Sequence, residues 1–342
     1  DAFLPLWVEH IERMPTSEAD WESDRDRWLR EAVMRLEGVA GLERIARKTK
    51  KPDALRAWCQ ALTAKGAWAE ALRAFGAAGK LTGKPPWRGE FLDGAALAAQ
   101  QLGRRDATTR LEKAWIGAPS LVRLLRWLGA GEPAASSLVR RARGAIEHCP
   151  AKATRQLGLL HVLTGDVPAA ARMLAAAAGL GWSSEDHPGH VLFPACAGLL
   201  AEGTRTSLSA ELFASLKEKP RDSLDMDREI GDGSTPKITT HSIAELIAVA
   251  RSDSKLDSRD REVVLDAMRA AASRRVEGIL SHKRRHYYGH TATLVACCQE
   301  VAPAVGRQKQ VAHWVDVLRK KYSRFYAFQA ELKTALASVS SE

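Results

Sequence analysis

The sequence predicts an all-α protein, and three observations carry that prediction. Apolar residues recur at steps of three and four along most of the chain, which is the spacing of one helix face. Residues 52 to 79 (PDALRAWCQALTAKGAWAEALRAFGAAG) divide into two amphipathic stretches at Gly66, a residue able to make a tight turn. Residues 154 to 178 (TRQLGLLHVLTGDVPAAARMLAAAA) divide in the same way at Gly165.

In chain order, residues 3 to 14 place Phe3, Leu6, Trp7, His10, Ile11 and Met14 on one helix face, ended by Pro15. Thr16 or Ser17 would cap a second helix with an apolar stripe of Trp21, Trp28, Leu29, Val33 and Leu36. Its charged run Asp24, Arg25, Asp26 and Arg27 reads as a solvated face. In the next pair, Leu55, Trp58 and Leu62 face inward beside small Cys59, and Ala71, Phe75 and Ala78 answer them from the second helix. Less regular pairs span 91–115, turning at Gly103, and 121–145, turning at Gly129. A loop after Gly179 leads into helices at 190–203 and 208–216. Residues 217–240 lose the apolar period and gather Pro, Asp, Gly and Ser, as a linker or mobile loop does. Helices follow at 243–250, at 259–280 with Asp257 or Ser258 as cap, at 291–301 and at 310–336. The expected division is therefore a helical array over 1–216, a linker over 217–240 and a C-terminal helical region over 241–342.

The hairpin at Gly66 resembles a tetratricopeptide repeat. The first helix carries a large residue then a small one (Trp58, Cys59), an aromatic follows the turn by two (Trp68), and the second helix reads Ala-x-x-x-Phe-x-x-Ala. Leu157-Gly158, Gly165-Asp166 and Ala170, Leu174, Ala177 make a second copy, and the two turn glycines lie 99 residues apart. That is close to three repeats of about 34 residues. The resemblance implies a tetratricopeptide-like α-solenoid of antiparallel hairpins with a C-terminal helical cap, offering a surface for a partner peptide or helix. Residues 284 to 303 (RRHYYGHTATLVACCQEVAP) and 314 to 332 (WVDVLRKKYSRFYAFQAEL) are in turn similar to the helical tail of bacterial SWIM zinc-finger proteins and related helical-repeat families. That likeness covers about 280–336 and implies no catalytic residue; the finger's Cys-x-Cys and Cys-x-His pairs are absent from the sequence.

Composition narrows the classes. At 342 residues, 45% apolar and 27% charged, the chain can bury one large core or two compact ones without staples. No apolar run reaches bilayer-spanning length and no basic-then-apolar leader opens the sequence, which predicts a cytoplasmic protein. The opening at Asp1 reads as that of a fragment. Five scattered cysteines, Cys59, Cys149, Cys196, Cys297 and Cys298, are expected to be reduced and buried. The balance of 51 basic against 41 acidic residues gives +10, which favours an acidic partner such as nucleic acid. Richness in Ala, Gly and Arg is an equally good compositional source of that charge.

Candidate chemistry is sparse. Asp225, Asp227, Glu229, Asp232 and Gly233 do not follow the ligand spacing of a calcium loop. His187 and His190 bracket a Pro-Gly loop without partners for a tetrahedral site. His282, His286 and His290 would share one face of a continuous helix, but Lys283, Arg284 and Arg285 would repel a cation there. No metal, cofactor or catalytic residue is therefore expected. Two basic stretches stand out, Arg274, Arg275, Lys283, Arg284, Arg285 with Tyr287, and Arg319, Lys320, Lys321, Arg324 followed by Phe325, Tyr326 and Phe328. The leading expectation is a non-catalytic protein-protein scaffold or adaptor, and the alternative is a nucleic-acid-binding module working through these clusters.

Overall fold

The computed structural model describes residues 3–15, 23–83, 85–201, 207–220, 236–251 and 256–340, and among them every regular element is a helix. Two compact units result, one within Asp1–Gly131 and Arg221–Thr239, the other within Glu132–Pro220 and Thr240–Glu342. No described helix is long and apolar enough to cross a membrane.

The first unit runs through α1 (Phe3–Arg13), α2 (Asp24–Glu37), α3 (Val39–Thr49), α4 (Pro52–Ala64), α5 (Trp68–Leu81), α6 (Pro85–Gln101), α7 (Ala107–Gly117) and α8 (Leu121–Leu128), each packed on the next. In α1 the buried stripe lies to one side of the predicted one: Val8 and Ile11 are buried with Leu4, Trp7 and Met14 packed against them, while Phe3 and Leu6 stand in solvent. The predicted second-helix start at Thr16 or Ser17, and Trp21, fall outside the described residues. The described α2 is capped by Ser23, which accepts from the Asp26 N–H in a reciprocal capping box. Of its charged run, Asp24 and Arg27 are in solvent as expected, whereas Arg25 is buried and Asp26 half-buried. Buried Arg25 donates to the Met14 and Glu12 carbonyls at 3.1 and 3.3 Å, satisfying the end of α1, and Lys51 meets Asp26 at 2.6 Å.

Helices α4 and α5 form the predicted hairpin, with Gly66 at φ +67°, and bury Leu55, Trp58, Cys59, Leu62, Ala71, Phe75 and Ala78 in one core. Helix α6 closes it from the other side. A Cβ on Gly94 would overlap the buried ring of Phe75, so a glycine is what lets α6 seat on α5. Helix α6 also carries Glu90, which takes both arms of Arg56 from α4 at 2.5 and 2.8 Å, and Asp93, which takes Arg123 from α8 at 2.8 Å.

The second unit contains α9 (Ala135–His148), α10 (Thr154–Thr164), α11 (Val167–Ala176), α12 (Gly189–Leu200), α13 (Ser207–Ala214), α14 (Ile243–Ala250), α15 (Ser258–Ser281), α16 (Tyr288–Val301), α17 (Gln308–Lys321) and α18 (Tyr326–Ser340). Here packing is not in chain order: α14 lies on α9, α15 on α11 and α12 as well as α16, and α18 on α16. The hairpin of α10 and α11 turns at Gly165 with φ +80°. The turn expected at Gly129 is displaced, since Gly129 is right-handed at the end of α8 and Gly131 takes the positive φ. The single helix expected over 310–336 is two, because the chain breaks at Tyr322 and the Gln329 amide donates to the Arg319 and Tyr322 carbonyls at 3.2 and 3.1 Å, ending α17. On α17 Val317 is exposed, whereas the adjacent Leu318 is buried. Cys59, Cys196, Cys297 and Cys298 are free and buried, and burial pushes the Cys196 thiol up to about 12; Cys149 is free and only half-buried.

Two glycine substitutions should move stability in opposite directions. Gly94→Ala forces the Phe75 ring from its place and should destabilise by about 1–3 kcal/mol. Gly144→Ala, on the exposed face of α9 with nothing near its new Cβ, should stabilise by about 1 kcal/mol. Denaturant unfolding of the two variants checks both signs.

Candidate functional site

The segment after α11 lies directly against the C-terminal half of α15, and two glycines make this possible. A Cβ on Gly179 would overlap the Arg274 carbonyl oxygen, and one on Gly278 would sit 3.1 Å from the Gly179 carbonyl carbon. Arg275, buried, donates from Nη1 to the Gly179 carbonyl at 3.0 Å and lies between two rings, 5.4 Å from the centroid of Trp182 and 5.1 Å from that of Tyr287. Its Nε is buried without a hydrogen-bond partner among the described residues. Burial lowers the Arg275 pKa. Arg274 is exposed and reaches the Ala177 carbonyl only at 3.5 Å. The sequence placed both arginines in one basic surface; the structure makes Arg275 an internal clamp.

Trp182 is the ring that sequence reading did not single out. It stacks on His187 at 5.5 Å, meets Phe193 at 6.1 Å and presents its edge to His290 at 6.1 Å. His187 is held in one neutral tautomer: Gly189 N–H donates to Nδ1 at 3.0 Å and Nε2–H donates to the Ala178 carbonyl at 2.9 Å. Both ring nitrogens are thereby used, so His187 has no lone pair to offer a metal. Burial lowers the pKa of His187, His190 and His290, even though the last two reach solvent. Arg275 lowers His187 and His290 further, and Arg155 lowers His187 and His190; only Glu218 beside His190 and the Ala178 carbonyl at His187 act the other way.

The three histidines at 282, 286 and 290 do not share a helix face. Helix α15 ends at Ser281, Lys283 turns left-handed at φ +52°, and a 3-10 turn over Arg285–Tyr287 intervenes before α16. The Arg284 N–H returns to the Ile279 carbonyl and the Lys283 N–H to the Leu280 carbonyl, each at 3.0 Å, the pairing of a Schellman motif with lysine where glycine is usual. Among the described residues no cluster of His, Cys, Asp or Glu could hold a metal ion. The acidic run from Asp225 to Gly233 lies outside them.

The second basic cluster closes α17. The Trp314 indole donates to Ser273 Oγ at 3.0 Å under Arg269, which fixes α17 along α15. Two turns on, Lys321 lies over the Tyr322 ring at 5.1 Å, and its pKa is raised first by Tyr322 and also by Glu277 of α15. Helix α17 thus runs along the C-terminal half of α15, and Tyr288 and Phe328, which follow the two clusters in sequence, meet at 5.9 Å, so both clusters belong to the same part of the unit.

Basic residues late in a helix ordinarily answer its negative end. Here that need is met otherwise: backbone N–H groups and the His282 ring take the last carbonyls of α15, and the Gln329 amide takes those of α17. Several surface arginines elsewhere are paired, as Arg27 with Asp24, Arg44 with Glu37, Arg47 with Glu43 and Arg104 with Asp106, while others such as Arg35, Arg105, Arg143 and Arg172 are exposed with no ion pair among the described residues. Among the described residues, no carboxylate pairs with Lys283, Arg284, Arg285, Arg319, Lys320 or Arg324, all of them exposed.

No protein-family model matches the chain, nor does any curated protein or solved structure.

The histidines around Trp182 set a pH dependence. Their folded pKa values lie below the unfolded value near 6.5, so unfolding takes up protons in acid. Stability is fully present above about pH 6.5 and is lost as pH falls through the folded values. The thermal midpoint should drop between about pH 7 and about pH 5, and His290→Gln should flatten that drop.

Proposed function

We propose that the chain is a non-catalytic binding module of the cytoplasm whose principal surface is the basic end of the second unit, where it holds a polyanion of the nucleic-acid kind. One observation carries this reading. Six exposed cations at the ends of two helices of the same unit have no carboxylate partner among the described residues, while the carbonyls they would ordinarily compensate are satisfied by other groups. Like charges held together at this density repel one another, and that cost falls when a polyanion arrives and releases its own counterions. The resemblance to the helical tail of SWIM zinc-finger proteins covers both clusters. Binding to a labelled oligonucleotide should weaken steeply with salt, and replacing Arg284, Arg285, Lys320 and Lys321 together by Ala should reduce the log–log salt slope by about 3. Absence of binding at low salt would remove this reading.

A second reading, a scaffold for a protein partner, is favoured by the first unit. There α1 to α8 pack each on the next, as a tetratricopeptide-like array of hairpins does. Helices α2, α3 and α4 bound an open groove of about 430 Å³, floored by Met34, Leu42, Ala57 and Ala61 and rimmed by Arg30, Glu31 and Arg35. Small residues at 57, 61 and 64 recur at helical spacing on α4, leaving room for a partner helix to lay an apolar face close to the backbone. Ala61→Arg fills that floor with a charged chain and should abolish capture of any partner that uses the groove. Equal recovery of every captured protein by the variant would count against this site.

A further inference from the structure

The charge array by itself would accept any polyanion, and the aromatic residues beside it are more selective. Of the three rings that follow Arg324, Phe328 is fully buried and meets Tyr288 edge-on at 5.9 Å, and Phe325 is half-buried against Tyr322 at 6.0 Å. Tyr326 is 81% exposed, more than any other large hydrophobic side chain described as exposed. It opens α18 two residues after Arg324, and among the described residues no hydrogen bond or ring contact engages its side chain. At the other cluster Tyr287 stays half-exposed, its ring 4.0 Å from that of His286.

We infer that the basic end of the second unit binds single-stranded nucleic acid, with Tyr326 stacking on an unpaired base and Lys283, Arg284, Arg285, Arg319, Lys320 and Arg324 holding the phosphates on either side. The inference rests on the polyanion reading above and narrows it. An exposed ring flanked by cations matches what a single strand presents, since each base offers a free face and each link a phosphate. A duplex keeps its base faces stacked inside and is read by a helix or ribbon laid into a groove. Here the cations stand on two helix ends and a 3-10 turn and not along one continuous helix face. Lysine at the left-handed position 283 points the same way: a residue that favours glycine carries a charge at the cost of local strain.

The test uses the full chain and fluorescence anisotropy. The probes are an oligothymidylate of about 16 nucleotides, a duplex of equal length, and polyglutamate as a polyanion without bases. The single strand should bind tighter than either competitor. Tyr326→Ala should weaken single-strand binding by about ten-fold with the salt slope unchanged, and Tyr326→Phe should restore it, because the ring stacks and the hydroxyl does not. Lys320→Ala and Arg324→Ala should each lower the slope by about 0.7. Lys283→Gly removes a cation and relieves the left-handed strain at once, so it should raise the thermal midpoint while weakening binding, an outcome that loss of fold cannot produce. Equal binding of single strand and duplex, or an unchanged affinity in Tyr326→Ala, overturns the single-strand inference and leaves the polyanion reading standing. Polyglutamate binding as tightly as the oligonucleotide overturns it as well. Failure of all three probes at low salt overturns both.

Discussion

The close approach of the 177–181 segment to α15 is the constraint on which the second unit's surface depends. Because Gly179 and Gly278 carry no side chain, the segment lies on the helix backbone, and Arg275 can reach the Gly179 carbonyl while remaining between Trp182 and Tyr287. Trp182 then has a fixed plate to pack on, and His187, Phe193 and His290 arrange themselves around it. The Tyr287 ring is tied to the same guanidinium, which anchors the turn carrying Lys283, Arg284 and Arg285. Internal order on one side of α15 thus holds an exposed charge array on the other end of the same helix.

Charge is used in two different ways along the chain. In the first unit it is consumed internally. Arg56 is shared by Asp53 and Glu90, Asp93 takes Arg123 from across the core, and Arg25 closes the end of α1. Such buried pairs contribute little net stability against an apolar alternative but make a misplaced helix costly, because a separated partner would remain charged in a dry site. At the ends of α15 and α17, Lys283, Arg284, Arg285, Arg319, Lys320 and Arg324 face water with no carboxylate partner among the described residues, and so add little to the fold.

How much of this was legible in the sequence follows from which physical cause set each feature. The hairpins at Gly66 and Gly165 were readable because the helix period and the turn residue are local properties, and the positions read as inward at Leu55, Trp58, Phe75 and Ala78 are indeed buried. The caps at Asp257 and the helix of 243–250 were readable for the same reason. Position on a helix face was less so: Phe3 and Leu6 are as apolar as Val8 and Ile11, and only the neighbouring helix decides which pair it covers. The break after Ser281 was readable to within a residue, since separate helices were expected at 259–280 and 291–301, although the left-handed lysine that makes it was not; the break at Tyr322 was missed because that residue is no helix breaker by propensity. It is made by a tertiary capping contact, Gln329 reaching back seven residues.

The candidate surface was half legible for a related reason. Basic runs are visible as composition, but whether a cation is free depends on where carboxylates and helix-end carbonyls fall in space. Arg275 and Arg285 are chemically identical in the sequence, yet one is a buried clamp with a backbone carbonyl and two rings as neighbours, and the other stands in solvent. Tyr326 and Phe328 divide in the same way, two positions apart on α18, one exposed and one in the core. Two residues turn a helix by about 200° at about 100° per residue, a little over half a turn, so a helix with one covered side sends such neighbours to opposite sides. The aromatic run after Arg324 therefore serves packing and surface at once, and the exposed member is the one whose ring has no structural work that would account for it.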